Sequence, residues 1–242
     1  MKKILLIGLM VLMAGNAFAL AINDRPAPIE PNNAGPWVGT EGTLQDAFDT
    51  YTLKTDGTHV DAVNDQSKAA IFTGTDVNQN TYAITMLTSS DLTVGLYSYN
   101  NPSLMVDLFV PTVGGYTADF TLYSDGTLRV GSDLYANFGS FGFYLETGNN
   151  VFYSEDDKNG GTARALTYQL DAGTKVSYND GFKASDATAT GDDWIIAFED
   201  GTDFDYQDVV FYVEDIAPVP EPATLLLLGS GLVGLAFMRR RK

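Results

Sequence analysis

"WIIAFEDGTDFDYQDVVFYV" (residues 194–213) places two apolar runs on either side of a connection crowded with carboxylates. In the first run Trp194, Ile196 and Phe198 alternate with Ile195 and Ala197; in the second Val209, Phe211 and Val213 alternate with Val210 and Tyr212. Successive side chains of a strand point to opposite faces, so both runs read as strands. The connection, residues 199–207, bends at Gly201 and either closes a hairpin or joins neighbouring strands of one sheet.

Outward from this stretch the same signature recurs. Residues 82–87, 94–99, 104–110, 118–123, 128–130, 141–146 and 165–170 alternate with period two or run apolar in short bursts, and Gly, Asn and Asp separate them. Many short strands punctuated by turn residues predict an all-β domain, an antiparallel β-sandwich or jelly-roll-like fold rather than a βαβ one. The exception is 43–51, where Leu44, Ala47 and Phe48 fall at helical spacing and predict one short N-terminal helix. "TLKTDGT" (52–58) and "TLYSDGT" (121–127) share T-L-x-x-D-G-T, and Asp-Gly in each predicts a primed hairpin turn.

The connection itself carries Glu199, Asp200, Asp203, Asp205 and Asp208, and no Lys or Arg lies between Lys183 and Arg239 to neutralise them. Carboxylates held within about 4 to 6 Å of one another raise each other's pKa and repel. A solvated loop splays them apart, whereas a folded one needs a cation. Ca²⁺ above all takes six to eight oxygens from such loops, which makes these five residues candidate metal ligands. The plainer reading is that Asp is a favoured turn residue in an acidic protein. Glu155, Asp156 and Asp157 form a second, weaker acidic group. The pattern is not an EF-hand: after Asp76, Asn78 and Asn80, Thr81 stands where that loop needs Gly and Leu87 where it needs Glu.

Composition narrows the function. All 31 acidic residues but only eight of the 14 cations lie between residues 20 and 221, giving that part a net charge of about −23. Nucleic acid and anionic lipid surfaces do not suit such a body. There is no cysteine, so packing, hydrogen bonds and bound cations must hold the fold, and thiol chemistry is excluded. His59 is the single histidine, placed just after a turn, and no serine sits in a G-x-S-x-G setting. A carboxylate pair of glycoside-hydrolase type has the least support, because acids are too abundant for any pair to stand out. The alternative to a passive surface component is a calcium-dependent, lectin-like binder, with Tyr97, Tyr99, Tyr144 and Tyr153 stacking on sugars if they share an exposed face.

The ends carry addresses. Lys2 and Lys3, an apolar core over 4–14, and Ala17-Phe18-Ala19 read as a secretory signal peptide over 1–19, cut after Ala19 by signal peptidase. A proline-containing lead-in with little periodicity, residues 20–41, is expected to be flexible; the sandwich follows over 42–216 and a proline-rich linker over 217–222. Residues 223–238 are apolar and read as an undersized transmembrane helix, at about 24 Å against a hydrocarbon core of about 30 Å. Arg239, Arg240, Arg241 and Lys242 then form a cytoplasmic stop.

Val219-Pro220-Glu221-Pro222, the Gly-interrupted apolar segment and the terminal basic cluster together resemble the PEP-CTERM sorting signal of Gram-negative bacteria. The resemblance implies transient anchoring in the inner membrane, processing by exosortase near the Pro-Glu-Pro motif, and delivery to the cell surface or an exopolysaccharide matrix. The body is similar to a bacterial surface domain of unknown function marked by F-E-D and D-x-D-[FY]-x-D. Phe198-Glu199-Asp200, Asp203, Asp205-Tyr206 and Asp208 fill that pattern, with Gln207 where Asn is commoner. Residues 93–110 and 141–161 are further stretches of the likeness, which implies a β-sandwich and no activity.

Overall fold

Thr43 opens the one α-helix among the described residues, α1 (Leu44–Tyr51): its side chain accepts from Asp46 N–H while the Asp46 carboxylate accepts from Thr43 N–H. This reciprocal capping box satisfies two otherwise orphaned donors, and the helix buries Leu44, Ala47 and Phe48. The computed structural model describes residues 23–25, 27–33, 42–74, 79–86, 92–109, 117–179 and 184–219. The expected signal peptide, the Pro-Glu-Pro segment, the apolar segment 223–238 and the basic cluster lie outside these residues. Among the described residues no helix is long and apolar enough to cross a membrane.

The strands that follow α1 are β1 (Thr52–Leu53), β2 (Gln66–Ser67), β3 (Phe72–Gly74), β4 (Gln79–Met86), β5 (Leu92–Ser98), β6 (Met105–Phe109), β7 (Thr117–Leu122), β8 (Leu128–Val130) and β9 (Asp133–Tyr135). After them come β10 (Phe141–Thr147), β11 (Asn150–Tyr153), β12 (Ala165–Gln169), β13 (Lys175–Asn179), β14 (Ala184–Thr188), β15 (Trp194–Phe198), β16 (Val209–Val213) and β17 (Ile216–Pro218). A short 3-10 turn, η1 (Asp156–Asn159), precedes β12. The strands assemble into an eight-stranded sheet, β2-β12-β15-β16-β4-β7-β8-β9, a six-stranded sheet in which β17-β3-β10-β5-β6 run in order with β11 beside β10, and a small β1-β13-β14 sheet. The pairings are antiparallel, as the sandwich expectation requires.

Period two along β15 and β16 explains how the layers stack. Trp194, Ile196, Phe198, Val209, Phe211 and Val213 enter one core with Phe72, Phe141 and Phe143 of the six-stranded sheet. Phe72 meets Trp194 edge-on at 5.0 Å and Phe143 at 5.7 Å. The intervening Ile195, Ala197, Val210 and Tyr212 enter a second core with Leu44 and Phe48 of α1 and Val176 of β13. Strands covered on both faces need apolar residues in both registers, and each fully buried aliphatic or aromatic side chain contributes about 1.5–3 kcal/mol. The sandwich therefore carries a third layer, α1 and the small sheet, on one side.

One expectation needs correction. The Asp-Gly turns are not primed: Gly57 (φ +86°) and Gly126 (φ +82°) are left-handed, but Asp56 and Asp125 are not. Gly57 and Gly126 donate to the Lys54 and Tyr123 carbonyls, and each Asp carboxylate accepts the N–H of the following Thr58 or Thr127. That local bond holds Asp in ordinary turn geometry and leaves only glycine to take positive φ.

The lead-in makes specific contacts where it is described. Arg25 donates through Nε and Nη2 to both carboxylate oxygens of Asp156 at 2.6 Å, and from Nη2 to Ala165 O at 2.7 Å. Asn23 donates to Ser154 O and accepts from Asp156 N–H, and Ile29 exchanges bonds with the Gln66 amide. These are bonds between side chains and remote backbone, which leave no periodicity to read.

Candidate metal centre in the acidic hairpin

The register of β15 on β16, from Trp194 opposite Val213 to Phe198 opposite Val209, sets Glu199 and Asp208 just beyond the last pair. The two ends of the acidic loop thus meet across the hairpin, and the loop folds back so that Asp205 joins them. One carboxylate oxygen from each of Glu199, Asp205 and Asp208 lies within 4.8 Å of the others. Glu199 is fully buried, Asp205 is 2% exposed and Asp208 is half-buried. None of the ion pairs among the described residues involves these three.

Hydrogen bonds hold them in place. Glu199 accepts from Gly201 N–H at 2.8 Å and Tyr206 N–H at 3.3 Å. Asp208 accepts from Asp200 N–H at 2.8 Å, and Asp205 from the Gln207 side-chain amide at 3.0 Å. Burial still dominates: it pushes Glu199 up to about 7, against the pull of those two N–H donors and with Asp203 and Asp205 adding repulsion. Burial likewise lifts Asp208 to about 8, helped by the charges of Asp200, Glu199 and Asp205, and raises Asp205 above its ordinary range.

The loop is bent to do this. Phe204 and Tyr206 both have φ of +59°, a left-handed conformation that costs a bulky residue on the order of 1–3 kcal/mol and persists only where surroundings enforce it. Tyr206 is buried and its hydroxyl donates to Ala163 O at 3.0 Å. Arg164 donates to Gly201 O, and its guanidinium lies 4.6 Å from the Phe152 ring and 5.0 Å from Phe204. Asn32 of the lead-in ties Phe204 O through its N–H at 2.8 Å and Asp203 O through its side chain at 2.7 Å.

Of the five residues expected as ligands, the structure therefore brings Glu199, Asp205 and Asp208 together. Asp200 and Asp203 are half-buried and outside that group. The second acidic group is engaged by protein partners instead: Asp156 by Arg25, and Glu155 by the Tyr97 hydroxyl at 2.6 Å and Lys158 at 3.7 Å. Sequence reasoning missed Arg164 and Asn32. The second of these lies 171 positions from Asp203, and no local pattern announces it.

At the far end of the body the chain leaves through β17, whose residues pair with β3 from Ile216 opposite Gly74 to Pro218 opposite Phe72. Val219 N–H still donates to Ile71 O at 3.0 Å. From that point the chain matches a known signal. Residues 218–242 match the PEP-CTERM protein-sorting motif. A PEP-CTERM motif marks an exported protein that exosortase processes, anchored at the membrane during sorting before its release to the surface. A comparison with curated proteins finds no match.

Of the four tyrosines singled out from sequence, Tyr97, Tyr144 and Tyr153 lie on strands of the six-stranded sheet, and Tyr97 and Tyr144 are spent there. Tyr97 lies over Gly142 and Tyr144 over Gly95, each its direct cross-strand partner. A methyl group on Gly142 would stand 2.2 Å from Tyr97, and one on Gly95 2.4 Å from Tyr144. Both rings are buried, and burial raises both hydroxyls far above the ordinary tyrosine range. His59 is half-buried and its Nδ1 meets the Thr52 carbonyl oxygen.

Proposed function

We propose that the sorted body is a non-enzymatic component of the cell surface or exopolysaccharide matrix, and that its acidic hairpin binds one Ca²⁺. The observation that supports calcium is the convergence of three carboxylates, two of them almost fully buried, none of which takes part in an ion pair with a Lys or Arg of the described residues. Buried like charges this close need protons or a cation. A hard, flexible-coordination ion suits an all-oxygen site, with water and a further loop oxygen completing six to eight ligands. Asp203, whose charge bears on both Glu199 and Asp205, is one source of such an oxygen.

The same packing argues against glycoside hydrolysis, which places two carboxyls across a cleft roughly 5–9.5 Å wide with substrate between them. Here one oxygen from each of three carboxylates falls within 4.8 Å of the other two, in a buried loop rather than across a cleft. A lectin-like role finds little support in the tyrosine face, since Tyr97 and Tyr144 cover glycines rather than stand free for a sugar. Isothermal calorimetry with Ca²⁺ tests the proposal. The parent body should bind at submillimolar to millimolar concentration, and Asp205→Asn with Asp208→Asn should abolish the heat. A parent that neither binds nor gains thermal stability at 5 mM Ca²⁺, about five times the weakest dissociation constant typical of extracellular sites, would remove calcium from the account.

A further inference from the structure

The sorting motif and the folded sheet share residues. Pro218 opens the matched motif and is also the last residue of β17, while Val219 is bonded to Ile71. Upstream, Ile216 is fully buried, its N–H donates to Asp192 O at 2.9 Å, and its carbonyl accepts from Trp194 Nε1 at 3.1 Å. No residue separates the last of these bonds from Pro220.

Enzymes that cut or transfer a chain hold it extended and bond to its backbone for several residues on each side of the reacting peptide. A cut within 220–222 places residues 216–219 in the acceptor cleft, yet the backbone groups of that stretch are committed to β3 and the core. β17 is also a three-residue edge strand, the kind of element that opens locally without global unfolding. We propose that residues 216–219 are a docking strand for exosortase, available only when β17 leaves β3, so that fraying of this edge strand gates processing. The inference rests on the processing reading of the PEP-CTERM motif.

Thr73 and Ala217 are register partners in a chain without cysteine, so Thr73→Cys with Ala217→Cys allows one disulfide and no other. The double variant, each single variant and the parent are expressed in an exporting host with exosortase, and the mass of the body is followed by pulse-chase. The bridged double variant should keep its tail and remain in the membrane fraction. Each single variant, and the double variant under reductant, should be trimmed at the parental rate. A Gly/Ser insert of about eight residues between Val219 and Pro220 should restore trimming of the bridged protein, which also shows that it folds and is exported. Ile216→Ala, which loosens β17, should be trimmed faster than the parent. Trimming of the bridged double variant at the parental rate overturns the gate while leaving the sorting reading intact; a parent that is never trimmed overturns both.

Discussion

With no cation at the acidic hairpin, raising the pH should weaken this body in a calculable way. Glu199 and Asp208 have folded pKa values of about 7 and about 8, above ordinary values of 4.5 and 3.8, because burial disfavours their charged forms. The unfolded chain is fully ionised at these positions above pH 6, so it binds fewer protons than the folded one. Stability is therefore fully present below the ordinary carboxylate range and is lost as pH rises through 7 and 8. At about 1.4 kcal/mol per unit, the two groups together remove about 4 kcal/mol between pH 6 and 9. For a body of this size each kcal/mol moves the melting midpoint by about 2–4 °C, so the fall should be on the order of 10 °C. The assay is thermal melting in EDTA at pH 6, 7, 8 and 9, for the parent and for Glu199→Gln with Asp208→Asn, whose neutral amides cannot titrate. The parent should lose its midpoint steeply, the double variant should hold nearly level, and millimolar Ca²⁺ should flatten the parent's profile. A parent profile in EDTA that stays level, or a double variant that falls as steeply, would show that these carboxylates do not carry the strain assigned to them.

The same protonation makes calcium uptake release protons: about 1.4 per ion at pH 7 and about 0.1 at pH 9, read from calorimetry in buffers of different ionisation enthalpy. Asn32→Ala removes the side-chain bond to Asp203 O and keeps the backbone bond to Phe204 O, so it should weaken Ca²⁺ binding severalfold and stability by about 1 kcal/mol, measured by calorimetry and urea unfolding. Arg25→Ala leaves Asp156 buried and unpaired, and urea unfolding should record a loss of about 3–5 kcal/mol. Gly142→Ala drives a methyl into the Tyr97 ring and should cost about 1–3 kcal/mol with no change in Ca²⁺ affinity, since it lies on the other sheet.

The central hairpin was legible because its two runs satisfy a strict physical demand, apolar residues in both registers of a doubly covered sheet. The same holds for α1, whose capping Thr43 and buried spacing are local facts. Strands such as β2, β3 and β14 were not legible: "QS", "FTG" and "ASDAT" are too short or too polar to show a period, and only their neighbours make them strands. At the acidic loop the residue types announced the chemistry, but not which three carboxylates converge. That choice depends on left-handed Phe204 and Tyr206 and on tethers from Arg164 and Asn32, none of which the local sequence encodes.

The double covering of β15 and β16 has a mechanical consequence. A sheet that belongs to both cores at once couples them, so melting either the aromatic layer above or the helix-capped layer below strips one face of the strands on which the other packs. Whatever seats itself between Glu199 and Asp208 therefore tightens a splice common to both halves, and in a protein without disulfides a single ion there would act as a rivet for the whole body.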